Sequence, residues 1–258
     1  MTTPMFTPDG RLKQVEYASL ANQHSSPMII YITENNMVVM ATRKASHNHH
    51  RRMVPLLQSG ILLGMSGILA DNVALWNHAR QYIIQQHSTP KAKQVAYELS
   101  TKCQECTFGG GLRPYGSVLT LVSFVSSTGH VQLHTITPSG SIHQQILRNK
   151  QTNEKKFAII GGTPHSQKQI TDKLFNNMNN DNIHNNSTSF SQELQNIFQS
   201  LLSQEKIQEE KTDDSLEVLC MTQNGQVHRL SLQDIQTILS SSHDNNDQTT
   251  TTTTSSKQ

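Results

Sequence analysis

The chain has 258 residues, 34% of them hydrophobic and 16% charged, with a formal net charge of +2 at neutral pH. That length can bury a substantial core, and so even a balance gives nucleic acid or an acidic membrane no electrostatic hold as a partner. The longest apolar runs, such as Ile61 to Met65 and Val118 to Val125, are far too short to span a bilayer, and Met1 to Met5 carry no secretory signal pattern.

Residues 1–10 read as a short N-terminal tail ending in the turn formers Asp9-Gly10. Arg11 to Asn22 reads as a helix, with Leu12, Val15, Tyr17 and Leu20 near helical spacing. Two strands follow, Met28 to Thr33 and Met37 to Thr42, joined by Glu34-Asn35-Asn36 as a tight hairpin. A basic, histidine-rich stretch leads to a buried-strand candidate, Gly60 to Ser66, ending at Gly67. Ile68 to His87 is a long helix with Leu69, Val73, Trp76 and Ile83 as its stripe. Thr89 starts the next helix with Pro90 at its first position, and Ala92, Ala96, Leu99, Cys103 and Cys106 form its buried side.

Strands return with Gly116 to Ser126 and His130 to Thr137 around the turn Ser127-Thr128-Gly129, then Ser141 to Leu147 after Pro138-Ser139-Gly140, then Lys156 to Ile160. Helices occupy Pro164 to Met178 and Phe190 to Glu205, separated by the Asn-rich run Asn176 to Ser189, a solvated loop by composition. Leu216 to Thr222 and Gln226 to Leu230 close a hairpin on Asn224-Gly225, and Leu232 to Leu239 is a last short helix. Ser240 to Gln258 holds almost nothing apolar and is expected to be a disordered polar tail. Two clusters of antiparallel hairpins alternating with helix pairs are not a doubly wound sheet. They suit an α+β domain over 11–239 in which two stacked sheets are covered by helices, a four-layer arrangement.

The residue types that usually carry chemistry are weakly placed. His47, His49 and His50 cluster, but no cysteine pair or carboxylate completes a four-ligand zinc site, so a solvated loop is expected. Cys103 and Cys106 lie one turn apart on an apolar stripe near the end of a helix, where a redox pair would need the start of one. Only Cys220 remains, and three cysteines imply no disulfide framework, hence a reducing compartment, cytoplasm or nucleus. Gly109-Gly110-Gly111 lacks the Gly-Lys-Ser/Thr ending of a phosphate loop and reads as a helix terminus. No metal or cofactor is expected.

One segment is far more specific. Phe6-Thr7-Pro8-Asp9-Gly10-Arg11-Leu12-Lys13-Gln14-Val15-Glu16-Tyr17-Ala18 resembles the opening signature of proteasome alpha subunits. Three further segments fall in the family's order: Ser66 to Asp71 with Ala79-Arg80, then Phe108 to Gly116, then Thr137-Pro138-Ser139-Gly140. The second resembles the family's Gly-Gly-x-Arg-Pro-Phe-Gly turn, carried by Arg113, Pro114 and Gly116. The third resembles an Asp-Pro-Ser-Gly turn with Thr137 replacing the aspartate. Together they span about residues 5 to 239. Ser215 to Leu239 and the Ile68 to Gln86 helix look most like the alpha subunit called type 4, also numbered alpha-3.

The resemblance implies the αββα sandwich of the N-terminal-nucleophile hydrolases, in a member that is not itself a peptidase. Enzymes of this fold use an N-terminal threonine whose own amine is the base, entering the first core strand directly. Thr2 is separated from the strand at Met28 by Pro4, a turn and the Arg11 to Asn22 helix, and the family's equivalent helix lies across the cleft. Gly162-Thr163, late in the chain, reads as the start of a helix.

Phe6, Pro8, Asp9, Gly10, Arg11, Gln14, Glu16 and Tyr17 are then ring and gate residues. The partners are other alpha subunits, beta subunits and regulatory particles. The Tyr-Asp pair of the family's gate tail would fall before Met1. A lysine that receives regulator C-termini maps to Met53, with Arg51 and Arg52 beside it as substitute cations. The implied function is the outer-ring scaffold of the core particle in ubiquitin-dependent protein degradation. The alternatives are a paralogue outside the particle acting as a binding or assembly module, or an active threonine peptidase.

Overall fold

A computed structural model describes residues 6–43, 51–56, 59–108, 112–125, 128, 130–148, 156–181, 190–202 and 216–240. In chain order these form α1 (Lys13–Ala21), a single 3-10 turn (Asn22–His24), β1 (Met28–Ile32), β2 (Val38–Arg43), β3 (Met53–Pro55), β4 (Ile61–Gly67), α2 (Leu69–Gln85) and α3 (Ala92–Phe108). There follow β5 (Ser117–Phe124), β6 (Val131–Ile136), β7 (Ile142–Leu147), β8 (Phe157–Ile160), α4 (Pro164–Asp181), α5 (Phe190–Leu202), β9 (Leu216–Met221), β10 (Val227–Arg229) and α6 (Leu232–Ser240).

The strands make two antiparallel five-stranded sheets, ordered β10-β9-β2-β1-β8 and β3-β4-β5-β6-β7. The first is stitched from distant segments: β1 pairs Ile30 with Met40 of β2 on one side and with Ala158 of β8 on the other. The second is a meander through consecutive strands, as in the pairing of Leu121 with Leu63 and with His134.

All five residues of β1 are buried, which is why it reads as an unbroken apolar run and not as an alternating one. The two-residue period sends its side chains to opposite sides. Met28, Ile30 and Ile32 enter a cluster with Leu62, Val122 and Leu133 of the second sheet. Ile29 and Tyr31 enter another cluster with Ile170, Leu194 and Phe198 of α4 and α5. A third cluster joins Leu63 and Leu121 of the second sheet to Leu75 of α2 and Leu99 of α3. At Gly64 the sheets leave no room for a side chain. A Cβ there would stand 2.7 Å from the Met28 sulfur and 2.8 Å from the Met40 methyl.

Four sequence expectations shift. The strand β3 falls inside the stretch read as a basic connection; it is only three residues long and gains its order from pairing with β4. The face that α2 buries carries Asp71, Asn72, Leu75 and Ala79, rotated from the expected stripe because Asp71 turns inward to accept the buried Gly116 N–H as well as Arg113. The third helix begins at Ala92 and not at Thr89; the Lys91 N–H is taken by Gln94 Oε1 at 2.8 Å, so the cap forms later. The expected stripe of α1 is not buried: Leu12 precedes the helix, Tyr17 and Leu20 are exposed, and α1 buries none of its residues within this chain.

Candidate functional site

The opening signature folds as a turn feeding a helix. Gly10 takes φ +76°, a conformation that favours glycine, and its N–H reaches Thr7 O at 2.8 Å. Thr7 and Arg11 close the loop: the Arg11 N–H donates to Thr7 Oγ1 at 3.0 Å, and the Thr7 N–H donates to Arg11 O at 2.9 Å. Pro8 and Asp9 lie at the centre of that turn. Arg11 Nε donates to Glu16 Oε1 at 2.6 Å, so two signature charges fix each other over the first turn of α1. Gln14 is exposed, and Phe6 and Tyr17 keep 63% and 66% of their surface open.

The other end of α1 is tied into the core. Asn22 O accepts the Gly162 N–H at 3.2 Å and the Ser25 hydroxyl at 2.6 Å. Ser66 at the end of β4 donates to Asn22 Oδ1, and the Ser25 and Ser66 hydroxyl oxygens lie side by side. A Cβ on Gly116, just before β5, would sit 3.3 Å from Ala21 Cβ and 2.6 Å from Ile68 Cδ1, so the helix end rests against that strand's start.

Immediately after this knot Ser26 O receives Arg52 Nη1 at 3.2 Å, Pro27 O receives Thr42 Oγ1 at 3.0 Å, and β1 begins. The closed set Asn22, Ser25 and Ser66 holds no imidazole, amine or carboxylate, so neither hydroxyl has a base within it. Thr163 is a cap: its Oγ1 accepts the Ser166 N–H at 3.2 Å at the start of α4.

The structure joins two segments that the sequence singles out separately. Asp71, buried in the first turn of α2, receives Arg113 Nη2 on Oδ1 at 2.6 Å and Arg113 Nη1 on Oδ2 at 2.7 Å. The Gly116 N–H adds 2.8 Å to Oδ2, and Arg113 Nη1 also reaches Pro114 O at 3.1 Å. The hydrogen bond to Asp71 raises the Arg113 pKa above its ordinary value. A two-pronged guanidinium fits a carboxylate closely, so Asp71 sets the turn into β5. Its role was hidden because its partner lies beyond α3 in sequence.

Arg51 and Arg52 part ways. Arg51 is exposed, whereas Arg52 is half-buried and committed to Ser26 O. Burial holds the Arg52 pKa below its ordinary value, with Glu217 pulling the other way. The Arg52 N–H also donates to Glu217 Oε2 at 3.2 Å. Glu217 pairs through Oε1 with Arg229, whose Nη2 reaches Met53 O at 2.7 Å. This clamp between β9, β10 and β3 was not foreseen, since its members are scattered along the chain.

The three cysteines are buried and free, and burial pushes the Cys103 thiol up to about 12 and Cys220 to about 11, which makes both poor nucleophiles. Among the described residues no cluster of histidine, cysteine or carboxylate could hold a metal, and no helix is long and apolar enough to cross a membrane. Thr2, His47, His49, His50, Gly109 to Gly111, the turn residues Ser127 and Gly129, Asn182 to Ser189 and residues 241–258 lie outside the described residues.

Comparison with known proteins gives a consistent picture. A family described as Proteasome subunit matches residues 28–183. The alpha type-3 proteasome subunit of Saccharomyces cerevisiae is 30% identical over 148 residues, 54% of this chain and 57% of that protein. The alpha type-7 subunit of Cicer arietinum is 32% identical over 146 residues, 53% of this chain and 58% of that one. The alpha type-2 subunit of Dictyostelium discoideum is 29% identical over 169 residues, 59% of this chain and 72% of that one. The match therefore spans a little over half the length of the first two relatives. Types 2, 3, 4 and 7 are 26% to 32% identical, so no single alpha type stands out.

Proposed function

The chain belongs to the proteasome subunit family, with alpha-type subunits as its relatives, and we propose that it serves as a non-catalytic alpha subunit in the outer ring of the 20S core particle. The observation that carries this reading is the covered start of β1. Where an enzyme of the N-terminal-nucleophile type would present a free threonine, this chain continues back through Ser25 and Asn22 into α1, and the local hydroxyls are bonded to Asn22. Three apolar clusters, two joining a sheet to helices and one joining the sheets, support the αββα layering of that fold over residues 11–239.

In the ring, the exposed Tyr17 and Leu20 of α1 would be covered by a neighbouring subunit, as α1 buries nothing of its own. The partners are the remaining alpha subunits, the beta subunits and regulatory particles; neither nucleic acid nor membrane is among them. Arg51, exposed beside β3, is the cation we assign to a regulator's C-terminal carboxylate, Arg52 being engaged internally. The setting is ubiquitin-dependent protein degradation in cytoplasm and nucleus, without a cofactor.

The test is native mass spectrometry of the tagged chain purified from its own cells. A barrel-sized complex with other alpha and beta subunits is expected. A monomer, or a small complex without beta subunits, would overturn the core-particle reading in favour of a paralogue acting elsewhere.

A further inference from the structure

The helix α1 is too short to stand alone. Nine residues fall below the roughly 12–15 that an isolated helix needs in water. Leu12 supplies no side-chain cap at its start, no basic residue sits in its last turn, and none of its residues is buried. Its side-chain bonds are local: Arg11 to Glu16, and Ser19 Oγ to Val15 O at 2.9 Å. Among the described residues, its hydrogen-bonded ties to distant parts of the chain converge on Asn22.

That one residue meets three separate segments. Its side chain receives Ser66 from β4, and its carbonyl receives Gly162 from the link between β8 and α4 as well as Ser25 from the lead into β1. Gly161, beside this point, leaves no spare room: a Cβ there would lie 2.9 Å from the Ser25 hydroxyl oxygen.

We propose that Asn22 is the hinge pin of α1: its side-chain tie to Ser66 keeps the helix laid across the start of β5, and without it α1 frays while both sheets persist. Asn22 is thus a positioning residue, acting through the helix it holds. This goes beyond ring membership and is a property of the single chain.

Substitution at this position separates two physical causes by sign. Alanine is a better helix former than asparagine, so if local propensity holds α1, Asn22→Ala slows its opening. If the tie holds it, the same change speeds opening. Asn22→Asp keeps an oxygen to receive Ser66, and Ser66→Ala removes the donor from the other side.

Hydrogen exchange on the full chain, read over residues 13–21 and over β1 and β4, tests the idea. Asn22→Ala and Ser66→Ala are each expected to speed exchange in α1 by about five- to tenfold, the loss of roughly one hydrogen bond. Asn22→Asp stays near the parent, and β1 and β4 stay protected in all three. Unchanged or slower exchange in α1 on Asn22→Ala would overturn the proposal. So would loss of protection across both sheets in Ser66→Ala, which would make the knot part of the core and not a hinge.

Discussion

Asp71 is a buried carboxylate with three donors on it, two from Arg113 and one from the Gly116 backbone. A desolvated charge is tolerable only when its bonds are complete. Arg113 leaves 61% of its side chain in solvent, so the pair is worth less than a fully buried one. Asp71→Ala is nonetheless expected to lower stability by about 2–3 kcal/mol, because the Gly116 N–H then loses its acceptor. Arg113→Ala is expected to cost about as much by stranding the carboxylate, and the double variant clearly less than the two losses added. Denaturant unfolding of the four proteins measures this; simple additivity would show that the pair is not coupled.

At the scale of elements, β6 passes beneath α3 with His134 on that side, almost fully buried, and neither ring nitrogen has a hydrogen-bond partner. Burial holds its pKa below the ordinary 6.5, and the nearby Lys93 on α3 adds to the effect. The folded chain therefore binds fewer protons than the unfolded chain as pH falls from 6.5 towards that lowered value. Its contribution is complete above 6.5 and is lost progressively on acidification through the window below it. His134→Leu is expected to flatten the fall in stability between pH 7 and pH 5, about the span in which an ordinary imidazole titrates, as read by melting temperature against pH. A slope identical to the parent's would show that His134 takes no part.

Elements with local causes were legible. The hairpin β1–β2 follows from two apolar runs around Asn36, which takes φ +55°, and the hairpin β9–β10 from Asn224-Gly225. Elements fixed by distant partners were not. The strand β3 is Met53-Val54-Pro55, too short for any alternation to show, and its backbone is held in part by Arg229 from the far end of the chain. The buried face of α2 was misplaced because apolar spacing cannot announce that Asp71 turns inward. The opening signature was legible as a motif, yet the knot at Asn22 was not, since serine and asparagine look like ordinary loop residues until Ser66 and Gly162 are brought to them.

For the molecule as a whole, the two sheets are bound by more than apolar contact. Arg229 on β10 spans Glu217 on β9 and the Met53 carbonyl on β3, tying one sheet to the other at their edges. Glu217 is 9% exposed, and removing its guanidinium leaves it with the Arg52 N–H. Arg229→Ala is expected to cost about 2–3 kcal/mol, a figure reduced from the fully buried case because Arg229 is partly solvated. Glu217→Gln in that background is expected to recover part of the loss. Chemical denaturation checks both, and no recovery would mean that the arginine acts through packing alone.

The strand orders carry a consequence for how the chain reaches this state. The meander β3 to β7 is complete once residue 147 has been made, and every pairing in it joins consecutive strands, the widest being β4 with β5 across α2 and α3. The other sheet places β1, made at the beginning, between β2 and β8, and sets β9 against β2 across more than half of the polypeptide. Non-local pairing is slow because long loops must close before it is rewarded. During synthesis the apolar β1–β2 hairpin therefore waits with its edges open until β8 and β9 arrive. That interval, and not the finished structure, is when this chain is most exposed to aggregation.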